Sequence, residues 1–123
     1  MKEDTGAPVV ALVADLLFAS KIRGAGGPVE TATRADAVRE RVERGAVRLV
    51  LVDLAVREDA VGLIRWVKES SEAEVVAFGP HTYAELLEAA REAGADRVLA
   101  RSAFVRELPG ILRERKVEGG GAG

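Results

Sequence analysis

"AVRLVLVDLAVRED", residues 46–59, is the stretch on which the fold turns. Leu49 to Val52 are apolar without a break, and the run ends on an acid, Asp53. A short unbroken run rich in Val and Leu marks a strand covered on both faces, as in a parallel sheet with helices on either side. Ala46–Asp53 is therefore expected to be a central strand with Asp53 at its carboxyl end.

The same sign recurs along the chain, alternating with helical patterns. Ala7–Asp15 is a second continuous apolar run, followed by "LLFASKIRGAGG", where Leu16, Leu17, Ala19 and Ile22 supply a stripe and Gly24, Gly26 and Gly27 stop it. Pro28–Ala32 is a short strand. "TRADAVRERVERG" reads as a helix capped by Thr33 or Asp36 and ended by Gly45, with a solvated, ion-paired face that includes Glu40–Arg44. Glu58–Ser71 is a helix with Ala60, Leu63, Ile64 and Val67 on one face, and Trp66 at its fringe covers the rim of the core. Ala73–Gly79 is a strand broken by Pro80. His81–Gly94 opens with Thr82 as N-cap and Glu85 three positions on, a capping box, and closes with Gly94. Ala95–Arg101 is the last strand. The final helix is expected to start near Val105, because an earlier start would bury Pro109 deep inside it.

Five strands alternating with five helices give an α/β fold: a flavodoxin-like (βα)5 doubly wound parallel sheet in the order 2-1-3-4-5. The 123 residues fit a single domain, 1–123, with a flexible tail at 117–123. Net charge is −2, with 48% hydrophobic and 31% charged residues, which argues against a general grip on nucleic acid or an anionic membrane. There is no cysteine and one histidine, His81, so thiolate chemistry and two-histidine metal sites are excluded. No signal peptide or membrane span is legible, and a cytoplasmic location is expected. Asn and Gln are absent and Arg outnumbers Lys, a thermophile-like composition that a GC-rich genome would also produce.

In such a sheet the chemistry lies beyond the carboxyl ends of the strands. Those ends carry Asp15, Asp53, Gly79 and Arg101. The two acids could share a hard divalent cation, and Arg101 could bind a phosphate or pair with Asp53. Asp15, directly before Leu16, is also a good N-cap. "GAGG" (Gly24–Gly27) lacks the spacing of a nucleotide loop and reads as a helix terminator. His81 reads as a solvated loop residue, and Tyr83 as partly core.

The pieces "VALVADL", "LVLVDLA", "VVAFGP" and "GADRVLARSAF", in this order, resemble a response-regulator receiver domain over about Pro8 to Lys116. The resemblance implies that Asp53 is the phosphoacceptor. It implies Mg²⁺ held by Asp15, Asp53 and the backbone carbonyl of Ala55, with Arg101 at the position of the phosphoryl-contacting lysine. Several positions depart from the family. Ala14 stands for the first acid of the acidic pair, Gly79 for the phosphoryl-binding Ser/Thr, Val98 for the switch aromatic, and Ser102 for the usual proline. A divergent, pseudo-receiver-like chain is thus expected: a stand-alone signalling or protein-interaction module with phosphorylation at Asp53 absent or unconventional. By analogy it would meet a partner protein or a second copy through helix 4, strand 5 and helix 5. The alternatives are a small-ligand or anion sensor at Asp15, Gly79 and Arg101, and a Mg-dependent phosphoryl-transfer enzyme, which the missing acid and hydroxyl disfavour.

Overall fold

A computed structural model describes residues 8–114 of the chain. The apolar runs form β1 (Val9–Leu12), β2 (Val29–Ala32), β3 (Leu49–Asp53), β4 (Glu74–Gly79) and β5 (Arg97–Ala100). Every neighbouring pair is parallel, and the order is β2-β1-β3-β4-β5. Between and after them run α1 (Leu16–Arg23), α2 (Ala35–Glu43), α3 (Ala60–Ser70), α4 (Ala84–Glu92) and α5 (Arg101–Arg113). This is the flavodoxin-like (βα)5 arrangement expected from the alternation. The expected first strand residue Ala7 and the tail 117–123 lie outside the described residues.

Successive strand residues point to opposite faces, and this parity builds two cores. Val10, Leu12, Val50, Val52, Val75 and Ala77 meet α2, α3 and α4 on one side. Val9, Ala11, Leu49, Leu51, Val76 and Phe78 meet α1 and α5 on the other. Asp53 continues the Leu49–Leu51 parity, so its side chain belongs to the face covered by α1 and α5. There Phe78 and Phe104 stack with centroids 3.9 Å apart, and Phe18 lies 5.5 Å from Phe78. Trp66 is half-buried against the other core, with the Arg39 guanidinium 5.9 Å from its ring centroid.

Helix ends are where local sequence rules gave way. Arg34, not Thr33 or Asp36, is the N-cap of α2, and it makes no side-chain cap. The free amide of Ala35 is met instead by Glu58 Oε1 at 2.7 Å, from the loop before α3. Tyr83, not Thr82, is the N-cap of α4, so the expected capping box does not form. On α2 the surface pair is Arg39–Asp36, while Arg41 turns inward to Glu30 and the carbonyl of Gly45; Glu40–Arg44 is not a pair among the described residues.

The largest correction concerns α5, which starts at Arg101 and carries Pro109 inside it. Proline supplies no N–H to the carbonyl four residues back and crowds it. Tertiary burial outweighs that cost. Phe104, Leu108 and Ile111 are buried on one stripe, and Phe104 joins it only if the helix begins early. Arg48 Nη2 also donates to the carbonyl of Leu112 at 2.8 Å, holding the last turn to the sheet. Pro109 itself is exposed. Pro109→Ala should therefore raise stability in urea unfolding, by at most about 3 kcal/mol. A loss of stability would mean that the proline is needed for the packing of this helix.

Candidate functional site

The carboxyl ends of β1 and β3 lie side by side, and the loop after each supplies a backbone donor to Asp53. Oδ2 accepts from the amide of Ala14 at 3.0 Å, and Oδ1 accepts from the amide of Ala55 at 2.9 Å. The residue is fully buried. Charged acceptors form the stronger class of hydrogen bond, and here each oxygen has one. The carboxylate thus ties the β1–α1 turn to the β3–α3 turn across the switch point of the sheet.

Asp15 caps α1: its Oδ1 accepts from Phe18 N at 2.7 Å. Its other oxygen lies 3.8 Å from Arg101 Nη2, with both side chains well exposed at 53% and 37%. An ion pair so exposed is worth little by itself. Arg101 opens α5, where the helix dipole disfavours a cation. Its guanidinium lies 4.0 Å from the Phe18 ring centroid, a cation–π contact that fixes its direction. The cation is therefore drawn to α1, and Arg101 pairs with Asp15 rather than with Asp53.

Gly79 is buried beside this rim. A Cβ built there would meet Leu54 Cβ at 3.3 Å and its Cδ1 at 3.7 Å. Leu54 is itself buried, so a hydroxyl-bearing side chain at position 79 would press on a packed leucine. Ala14 is exposed and contributes its backbone only, and Val98 is half-buried against the core beneath α4. His81 is exposed, and Tyr83, at 39% exposure, stands outside the core in which it was expected to take part.

The donor set does not fit a tightly held Mg²⁺. One carboxylate caps a helix and faces an arginine, while the other has a backbone N–H on each oxygen. No group of three acidic or histidine ligands occurs among the described residues. Arg101 already brings a positive charge to Asp15, where a cation would have to sit.

Three features of this rim were not read from the sequence: the Ala14 amide on Asp53, Leu54 against Gly79, and Phe18 under Arg101. The first two depend on the register of β1, β3 and β4. The third had a signal in "DLLF", which places an aromatic one turn after the capping acid.

Comparison with solved structures finds receiver domains. The receiver domain of NtrX from Brucella abortus matches with a TM-score of 0.73 at 20% identity, covering 85% of this chain and 93% of that one. The receiver domain of the TMAO respiratory system response regulator TorR matches at 0.75 and 19%, covering 85% and 91%. A response regulator from Thermotoga maritima matches at 0.71 and 20%, covering 86% and 94%. No protein-family model and no curated protein matches the chain. The fold is that of receiver domains.

Asp53→Ala removes two charge-assisted hydrogen bonds to part-buried amides, and should lower unfolding free energy by about 2–3 kcal/mol in chemical denaturation. Asp15→Ala removes one exposed cap and should cost about 1 kcal/mol. The reverse order would contradict the structural weight given to Asp53.

Proposed function

We propose that this chain is a receiver-like signalling or protein-interaction module in which phosphoryl transfer to Asp53 is absent or unconventional. The observation that carries the proposal is the double backbone tether on the Asp53 carboxylate. Each oxygen spends one lone pair on an N–H at 3.0 or 2.9 Å, which fixes the carboxylate's direction and lowers its nucleophilicity, and the buried group offers no open path to a phosphodonor. The groups that would screen the incoming charge are reduced as well. Ala14 has no carboxylate, Gly79 has no hydroxyl and lies tight against Leu54, and Arg101 is engaged by Phe18 and Asp15. Phosphoryl transfer depends on such charge stabilisation more than on the nucleophile.

A module of this kind acts by contact. The face formed by α4, β5 and α5 supports that role: β5 is an edge strand half-exposed along its length, and α4 fully buries only Ala90. Tyr83 and Leu86 stand 39% exposed on it. We assign the protein partner, or a second copy of the chain, to this face. A cytoplasmic setting accords with this reading, and no described helix is long and apolar enough to cross a membrane.

Incubation with acetyl phosphate and Mg²⁺, followed by intact-mass measurement, should give no phosphoryl adduct. A Mg²⁺-dependent adduct that disappears in Asp53→Asn would overturn the proposal and restore a conventional receiver. For the face, Leu86→Glu should weaken whatever association sedimentation detects, and unchanged association would move the contact elsewhere.

A further inference from the structure

On the other side of β1 from Asp53, a cleft of about 330 Å³ opens between α1 and the start of α2. Val13, Ala19, Ala32 and Ala37 give it an apolar wall. Leu16, 75% exposed, and Arg34, also exposed, are among its lining residues. None of Asp53, Gly79 and Arg101 lines it, so it is separate from the candidate site above. Among the described residues the Arg34 guanidinium has no ion pair or hydrogen bond. The acids of the adjoining elements have partners of their own: Glu30 pairs with Arg41, Asp36 with Arg39, and Glu58 accepts from the amide of Ala35.

The volume falls at the lower end of the range for small-molecule sites, which combine apolar walls with a few polar groups that orient the ligand. An apolar wall under an unneutralised arginine is complementary to one kind of molecule: a small amphipathic carboxylate, its hydrocarbon body against Leu16, Ala19 and Ala32 and its carboxylate on Arg34. Arginine offers a planar fork that matches a carboxylate in two parallel hydrogen bonds. We propose that this cleft binds such a monocarboxylic acid, which goes beyond the interaction role of the opposite face and does not depend on the state of Asp53.

The test is a titration of the full chain, followed by amide chemical shifts, with hexanoate and phenylacetate against their neutral amides. The proposal expects saturable shifts centred on Val13, Ala19, Thr33 and Ala37. It expects about tenfold weaker binding for the neutral amides and in Arg34→Gln, the worth of one charge-assisted contact. Ala37→Leu, an exposed helical position where added bulk fills the cleft and leaves the charge, should abolish the shifts while the remaining spectrum is unchanged. Absence of saturable shifts, equal affinity for acid and amide, or indifference to Arg34→Gln would overturn the proposal. So would shifts at these residues that follow protein concentration without ligand, since they would put a second copy in the cleft.

Discussion

A carboxylate with no solvent contact is costly unless donors replace the water it has lost. Asp53 is such a group, and its replacements are the amides of Ala14 and Ala55. Those amides belong to the turns that leave β1 and β3, the two strands flanking the switch point. Every element on the rim is set by where these turns go. The β1 turn delivers Asp15 to cap α1, and α1 then places Phe18 on the aromatic stack. The β3 turn continues through Glu58, which satisfies the start of α2 from a distance. One buried carboxylate therefore links two helix starts, through backbone groups that no substitution at Ala14 or Ala55 would remove, short of proline.

The neighbours of Asp53 are themselves engaged in contacts that support the proposed structural role. Arg101 extends over Phe18 and toward Asp15, so its charge is used at the surface of α1. Leu54 would have to shift slightly to admit a side chain at position 79. Each contact is modest alone, since exposed ion pairs and cation–π contacts are each worth about 1 kcal/mol or less. Together they hold the rim in one arrangement. The proposed contact face on β5 and α4 and the proposed ligand cleft beside Arg34 both lie away from this rim.

The sheet was legible because parallel burial leaves a coarse mark, unbroken apolar runs at Val9–Leu12 and Leu49–Val52, and alternation then leaves few topologies. The Asp15 cap was legible because it is local, bonding three residues along the chain. Reading failed where a distant residue decided. Glu58 caps α2 from 23 positions away, which made Thr33 and Asp36 look better placed than they are. Pro109 suggested a late start for α5 by a sound local rule, yet burial of Phe104 and the hold of Arg48 on Leu112 prevailed. At the site, the residue types on the rim were visible, but not their partners. Arg101 was expected to meet a phosphate or Asp53, and the Phe18 ring beneath it directs it to Asp15 instead.

Native-state hydrogen exchange of the Ala14 amide tests the central claim most directly. Ala14 is exposed and follows β1, so apart from Asp53 little would shield its N–H from solvent. The account expects strong protection at Ala14 and Ala55 in the intact protein, and loss of both together in Asp53→Ala while the amides of β3 stay protected. Exchange of Ala14 at the rate of an unprotected amide in the intact protein would contradict it, and would leave the Asp53 carboxylate free for chemistry.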